Sequence, residues 1–237
     1  MFKVLTRLKM YVKILNQRMN HHGFQYKEGL NVDTVPFNPS GDCEPGGLYY
    51  STAEHICKFS AYGCSIADVI VPEDSQVYQN GTKFKADKII LSNIRSMEMY
   101  IDSLPYEKQL NAVKQTGRLL QFVSIQTSEI CLEAVKQNGI ALSYVKEQTD
   151  EICMVAVKQN GMALLYVNNQ TPEICLEAVR QNGISLLNVK EQTVEICMEA
   201  VRQNGCALEF VKEQTPELCM ETVKQNGRVK KCEEPNS

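Results

Sequence analysis

The sequence predicts an α+β protein in which a small N-terminal α+β domain precedes an α-solenoid of six 22-residue αα-hairpin repeats. Glycines recur every 22 residues from Gly117 to Gly227, and cysteines keep the same interval from Cys131 to Cys219. Such self-similarity is typical of stacked repeats that share a continuous core. Upstream, prolines and glycines punctuate the chain without any period. We therefore expect a basic amphipathic helix over 1–19, an α+β domain over 20–91, a linker over 92–103, the repeat array over 104–227 and a polar tail over 228–237.

The first 19 residues contain five basic residues and no acidic one. Apolar residues recur among them at helical spacing: Leu5, Leu8, Val12, Leu15 and Met19. This pattern predicts a basic amphipathic helix, and most such helices dock on their own core. An anionic membrane surface or a targeting role is the alternative.

Residues 20–91 alternate turn signals with short apolar runs. Residues 66–71 are predicted to form a strand, and a short helical stretch is expected from Thr52. Asn80-Gly81 predicts a hairpin over residues 76–84, because tight hairpin turns favour this pair. These elements predict a small α+β unit.

The second repeat copy shows how each repeat is built. Thr127 is a good N-cap, and Glu129 complements the helix dipole. Asn138-Gly139 is expected to end the helix, with the glycine in the left-handed conformation. Apolar residues from Ala141 to Val145 then fit a second, shorter helix. Each copy is therefore predicted to be an αα-hairpin.

The repeat cysteines are expected to be buried and reduced. Equivalent residues in adjacent copies should lie about 8–10 Å apart, beyond the roughly 7 Å limit for a disulfide. No secretory signal pattern is found at the start of the chain, which favours a reducing compartment. We therefore expect a cytoplasmic protein.

Positions that vary between copies are the candidates for partner contact, because packing fixes the others. One position of the second helix reads Gln121, Ser143, Leu165, Leu187 and Glu209, and we expect it to be exposed. The next position reads Phe122, Tyr144, Tyr166, Asn188 and Phe210, and we expect mainly core there. With Val155 in place of a glutamate, the two leucines predict a small apolar contact patch. The predicted partner-binding residues are Ser143, Val155, Leu165, Leu187 and Glu209; scattered surface leucines are the alternative.

Composition argues against several other functions. Basic and acidic residues are balanced over 1–105 at 11 each, and acidic residues prevail by 15 to 11 over 106–227, so no nucleic-acid surface is expected. No apolar run is long enough to span a membrane. A metal site is not expected, because His55 and Cys57 would point about 200° apart on a helix and no C-x-x-C pair exists. The candidate metal ligands in residues 20–91 are His21, His22, Cys43, His55, Cys57 and Cys64. No cofactor and no catalytic residue are predicted.

The chain contains the blocks HHGFQYKEGLNVDTVPFNP, GDCEPGGLYYS, VPED and FKADKIIL, followed by the EICLEAVKQNG repeats. In these blocks it resembles hypothetical proteins of giant amoebal viruses related to mimivirus. The repeats of those proteins are catalogued as a domain of unknown function. The resemblance implies a viral protein in a host cytoplasm and supplies no catalytic residue.

The order of three short motifs is also similar to the NAD-binding elements of ADP-ribosyltransferases: His22-Gly23, residues 46–51 and Tyr62-Gly63. This resemblance implies that His22 binds ribose and that Tyr49 or Tyr62 stacks on nicotinamide. No strand with a catalytic glutamate follows, and Glu73 lies in a predicted turn. We therefore predict a non-enzymatic protein–protein interaction scaffold with a host or viral protein partner, and NAD-dependent ADP-ribosyltransferase-like activity as the alternative.

Overall fold

The computed structural model describes residues 10–40 and 44–226, with side chains through residue 224. The chain divides into two compact units, residues 1–105 and residues 106–237. We call them the sheet domain and the repeat array. The expected α+β class with a helical-repeat second half is confirmed.

The described part of the sheet domain is built on an antiparallel seven-stranded sheet in the order β4-β9-β6-β1-β5-β8-β7. A small hairpin, one 3-10 helix (η1) and one α-helix (α1) complete it. The bounds are β1 Tyr11–Leu15, β2 Asn20–His21, β3 Phe24–Gln25, β4 Gly29–Val32, β5 Leu48–Thr52, η1 Ile56–Tyr62, β6 Ser65–Ile70, β7 Val77–Asn80, β8 Lys83–Ala86, β9 Lys88–Ser96 and α1 Met97–Asp102.

The predicted helix over residues 1–19 is wrong where the structure describes it. Residues 11–15 form β1, a central strand that pairs with β5 and β6. Tyr11, Val12 and Ile14 belong to the residue types that favour strands, and the sheet buries four of the five residues of β1. The burial includes Lys13, which the helix prediction left in solvent. Residues 1–9 of the predicted helix lie outside the described residues.

The predicted linker over residues 92–103 is also wrong. Residues 92–96 continue β9, and Ser96 caps α1 by accepting the Met99 N–H. Met97 and Ile101 are fully buried, so this segment belongs to the core. The predicted strand at 66–71 and the hairpin at 76–84 are confirmed as β6 and as β7–β8. The turn of that hairpin is Gly81-Thr82, with Gly81 at φ 58°.

In the repeat array, α-helices alternate with 3-10 helices. Each α-helix packs on the next α-helix, and each 3-10 helix packs on the next 3-10 helix. The described array holds five complete copies, and a sixth reaches the end of its α-helix. The bounds are α2 Tyr106–Gln115, η2 Gly117–Phe122, α3 Ser128–Gln137, η3 Gly139–Tyr144, α4 Asp150–Gln159, η4 Gly161–Tyr166, α5 Pro172–Gln181, η5 Gly183–Asn188, α6 Val194–Gln203, η6 Gly205–Phe210 and α7 Pro216–Asn226. The predicted polar tail over 228–237 lies outside the described residues.

The threonine caps are confirmed, and the second helix of each copy is a 3-10 helix. Thr127 accepts the Ile130 N–H, and the equivalent threonines of the next three copies do the same. In the second copy, Ala141 donates its N–H to the Asn138 carbonyl and Val145 donates to Leu142. These i→i+3 bonds define a 3-10 helix, which proteins use in short pieces.

The predicted left-handed conformation of the repeat glycines is wrong. Gly139 is not left-handed, and Asn138 before it is extended, with φ −150°. A Cβ on Gly139 would lie 2.5 Å from the Ala156 carbonyl oxygen of the next copy. Glycine is therefore required because two successive copies approach closely, and Asn138 turns the chain by accepting the Ile140 N–H with its side chain.

Candidate functional site

Glutamines join each repeat to the next through backbone atoms. Gln159 Oε1 accepts the N–H of Gly139, one copy upstream, at 2.6 Å. The same bond, at 2.6–2.7 Å, recurs from Gly117 to Gln137, from Gly161 to Gln181 and from Gly183 to Gln203. Each bond satisfies an amide that the start of a 3-10 helix leaves unpaired.

A second set of glutamines bonds in the opposite direction along the chain. Gln148 donates from Nε2 to the Tyr166 carbonyl at 2.8 Å, and its Oε1 accepts the Asn168 N–H at 3.0 Å. Gln126, Gln170 and Gln192 make the same pair of bonds to the following copy. The sequence analysis missed both sets. The signal that could have found them is glutamine at these two positions in every copy, since an exposed polar position would vary.

The variable position of the 3-10 helices is exposed, as expected. Leu165 on η4 is 59% exposed and Leu187 on η5 is 49% exposed. Ser143 on η3 and Glu209 on η6 occupy the equivalent position and are also exposed. Because η4 packs against η5, the two leucines stand on neighbouring helices at the same position of the repeat.

The next position is half-buried, although the sequence analysis expected mainly core there. Tyr144, Tyr166 and Asn188 each keep part of their side chains accessible. Asn188 lies 4.0 Å from the sulfur of Met162 on η4, itself half-buried. We call the accessible side of η3, η4, η5 and η6 the 3-10 face. It is more apolar than the sequence analysis anticipated.

Val155 lies in a different row from Leu165 and Leu187. It is half-buried on α4, at the position where four other copies carry a glutamate and the first carries Asn111. Such glutamates pair with a basic residue of the preceding helix, as in Arg180–Glu199 at 3.2 Å and Arg202–Glu221 at 3.7 Å. Lys136, whose counterpart would be residue 155, instead pairs with Glu133 of its own helix. Val155 therefore interrupts a row of ion pairs on the α-helices.

The sheet domain contains a cavity of about 70 Å³ beside β1 and β5. Aromatic rings and basic side chains dominate its wall. The lining residues are Lys13, Ile14, Asn16, Asn20, His21, Tyr49, Tyr50, Ser51, Ile56, Phe59, Tyr62 and Lys83.

Lys13 is the most unusual group in this wall, since its side chain is only 4% exposed. Its Nζ donates to the Tyr49 carbonyl at 2.7 Å and lies 4.2 Å from the centre of the Tyr26 ring. Burial lowers the pKa of Lys13 from its ordinary value to about 7. Burial also lowers the pKa of His21 to about 4, with smaller contributions from Lys13 and His22. The wall thus holds basic groups whose charged forms are disfavoured.

The residues implied by the ADP-ribosyltransferase resemblance come together only in part. Tyr49 and Tyr62 line the cavity, but His22 does not. His22 and Gly23 have φ 48° and 80°, and with two residues between β2 and β3 they form a tight hairpin turn. The His-Gly pair is therefore explained by turn geometry. Among the described residues, no aspartate or glutamate lines the cavity.

The second glycine of GGLYYS, Gly47, makes room for a second buried lysine. Gly47, at φ 141°, leaves room for Lys85, whose side chain is 1% exposed. The Nζ of Lys85 donates to the Ser40 carbonyl at 3.0 Å and lies 5.4 Å from the centre of the Tyr49 ring. Two buried lysines therefore flank Tyr49, and only Lys13 lines the cavity.

Within residues 10–40 and 44–226, no group of three histidine, cysteine or acidic side chains is placed to hold a metal ion. Of the residues considered for such a site, Cys43 lies outside the described residues. His55 instead contacts the Thr52 hydroxyl through Nδ1 at 2.9 Å.

Four repeat cysteines are buried and free: Cys131, Cys153, Cys175 and Cys197. Burial raises the pKa of each. Cys219 is disulfide-bonded, so the expected free thiol is wrong at that position. The expectation had considered only bonds between equivalent cysteines of adjacent copies.

The repeats match a family model described as a domain of unknown function, DUF4116. The matches overlap and cover residues 107–149, 129–171, 149–193 and 171–215. Among the described residues, no helix is long and apolar enough to cross a membrane.

Three similar proteins come from Acanthamoeba polyphaga mimivirus. "Putative ankyrin repeat protein R868" is 35% identical over 96 residues, which is 38% of this chain and 48% of that protein. "Putative ankyrin repeat protein R896" is 34% identical over 84 residues, 33% of this chain and 25% of that protein. "Uncharacterized protein R869" is 40% identical over 70 residues, 29% of this chain and 51% of that protein.

The matched segments thus span between a quarter and about half of these relatives. No solved structure matches the chain. An ankyrin repeat has a period of about 33 residues, whereas the period here is 22, so the name describes those relatives and not this repeat.

Proposed function

We propose that this chain, a helical-repeat protein related to proteins of mimivirus, is a non-enzymatic scaffold that binds a host or viral protein through its 3-10 face. The observation that carries the proposal is the pair Leu165 and Leu187, 59% and 49% exposed on packed neighbouring helices. Packing does not require leucine there, because equivalent positions carry Gln121, Ser143 and Glu209. Contiguous exposed apolar groups mark contact sites more often than single ones do.

The glutamine bonds support this role because they stiffen the array. Each copy is fixed to the next by side-chain bonds to backbone groups as well as by apolar packing. A rigid surface loses less conformational entropy when it binds a partner. The variable residues Ser143, Leu165, Leu187 and Glu209 are therefore displayed in a fixed order, which we propose sets partner choice.

Val155 enters the proposal as a secondary element. It removes one acidic group from the row on the α-helices and leaves a half-buried apolar side chain there. We propose that this row contributes less to binding than the 3-10 face, because four of its six positions keep a glutamate.

The test is capture of partners from the cytoplasm of infected amoebae with the full chain, followed by photo-crosslinking from positions 165 and 187. The double variant Leu165→Glu with Leu187→Glu should fold normally and lose at least about ten-fold in capture of the main crosslinked partner, since a charge in an apolar contact costs more than about 1.4 kcal/mol.

The matched control changes two exposed apolar residues that lie off the 3-10 face. Ile125 is 81% exposed and Val194 is 67% exposed, so glutamate at both should leave folding and capture unchanged. Equal loss in both double variants would mean that binding follows general surface hydrophobicity. Unchanged capture by the Leu165/Leu187 variant would show that the partner binds another surface of the chain.

The alternative, ADP-ribosyltransferase-like activity in the sheet domain, has less support. Tyr49 and Tyr62 share the cavity wall, yet no acidic side chain from residues 10–40 or 44–226 lines it, and its volume of about 70 Å³ is small for a dinucleotide. A thermal shift with NAD tests this alternative directly, because a ligand bound only by the native state must raise the melting temperature.

A further inference from the structure

The Lys13 amine is buried beside a cavity in which none of the described lining residues is acidic. The ladder between β1 and β5 covers only two residue pairs, Tyr11 with Thr52 and Val12 with Ser51. Lys13 follows directly, and its Nζ bonds the carbonyl of Tyr49, which lies beyond that ladder. The amine is thus held by one acceptor and one aromatic ring, at the place where the two strands separate.

The other titratable groups in the cavity wall do not supply a negative charge. They are His21, Tyr49, Tyr50, Tyr62 and Lys83. Tyr26 lies under the amine from the neighbouring hairpin, and burial together with the charge of Asp33 raises its pKa above the ordinary range. A buried lysine without a carboxylate partner loses its proton more easily than an exposed one, and the neutral amine is a nucleophile.

We propose that Lys13 is a covalent site for a small carbonyl compound that also carries an anionic group, such as a 2-oxo acid. The carbonyl would react at Nζ inside the cavity. The volume of about 70 Å³ fits a ligand of a few heavy atoms. Lys83, from β8, lines the same cavity and adds positive charge for the anionic group.

The chemistry is imine formation. The lone pair of the neutral amine attacks the carbonyl carbon, and the carbonyl electron pair moves to oxygen to give a carbinolamine. The C–O bond then breaks, a C=N bond forms, and the oxygen leaves as water with the two hydrogens of the amine. No oxidant or reductant takes part, and the lowered pKa of Lys13 keeps the amine neutral in a large fraction of molecules near pH 7.

The experiment treats the folded full-length protein with glyoxylate and cyanoborohydride, which reduces the imine to a stable carboxymethyl amine. Peptide mapping by mass spectrometry then gives the labelling rate of each lysine. We expect Lys13 to label at least about ten times faster than Lys85 at pH 7.5, because Lys13 lines the cavity and Lys85 does not.

Lys85 is the matched control, because it is equally buried and also lies beside Tyr49 but does not line the cavity. In urea the two lysines should label at the same rate. Oxalate, an anion without a reactive carbonyl, should slow labelling of Lys13 and leave Lys85 unchanged. The proposal is overturned if native Lys13 stays unlabelled, if it reacts no faster than Lys85, or if oxalate has no effect on its rate.

Discussion

Gly161 offers the sharpest test of how the copies pack. In Gly161→Ala, the new Cβ would meet the Ala178 carbonyl oxygen of the next copy and lie 2.7 Å from the Ser185 hydroxyl. Overpacking of this kind costs roughly 1–3 kcal/mol, and displacement of the bond from Gly161 to Gln181 adds about 1 kcal/mol. Alanine also restricts the unfolded chain more than glycine does, which stabilises the folded state by about 0.4–1 kcal/mol. The net loss should be roughly 1–3.5 kcal/mol, with a central value of about 2 kcal/mol.

The assay is thermal and urea unfolding followed by circular dichroism, and the melting temperature of the array should fall by roughly 5–12 °C. Gly161→Asn distinguishes two explanations of why glycine is required, close packing and a left-handed backbone, since asparagine tolerates the left-handed region better than alanine does. Close packing predicts that the larger asparagine is at least as damaging as alanine.

Gly81 provides the reciprocal control, because its φ is 58° and a Cβ there meets nothing within 4 Å. At Gly81 the order should reverse, with asparagine better tolerated than alanine. An unchanged melting temperature in Gly161→Ala, or a Gly161→Asn variant that is clearly more stable than Gly161→Ala, would refute the packing argument.

Three further predictions follow from side chains that the fold buries. A thiol reagent should label Cys64 and Cys206 quickly, because both are exposed, and should label the four buried repeat cysteines only after unfolding. Rapid labelling of Cys153 in the native protein would contradict the packing of α4. Gln170→Glu should destabilise the array by roughly 1–3 kcal/mol, because a carboxylate cannot donate to the Asn188 carbonyl, whereas the exposed Gln121→Glu should change urea unfolding little. The folded-state pKa of Lys13 is about 7, below its unfolded value, so the unfolded chain binds more protons and the stability of the fold should rise between pH 7 and about 10. Lys13→Met should reduce this rise by a few kcal/mol. An identical pH profile in that variant would count against a buried amine.

Local features of this chain could be predicted from sequence, because they depend on residues close together. The threonine caps, the repeat period and the exposure of Leu165 and Leu187 need only one copy and its neighbours. The glutamine bonds were missed because they join atoms 18 to 20 residues apart, and helical periodicity within one copy only places Gln137 on a polar face.

The sheet domain was harder to predict for the same reason. Lys13 is held by Tyr49, 36 positions away, so a pattern counted over residues 1–19 could not reveal its burial. The basic residues suggested a solvated helix, while the residue types of β1 favoured a strand. Pairing with β5 and β6 on both sides decides in favour of the strand, and only the assembled sheet shows it. The carboxylate-free cavity likewise depends on strands that are distant in sequence.

The glutamine bonds also bear on how such a protein can change over generations. Both sets end on main-chain atoms of the adjacent copy, and the side chain that also bonds the second set is a cysteine that these copies share, so none of the bonds depends on a side chain that varies between copies. A gene segment of one period, gained or lost by unequal recombination, would carry a complete set of donors and acceptors with it and leave both junctions intact. Array length and surface identity can therefore diversify independently, by copy number in one case and by point substitution at positions such as Leu165 in the other.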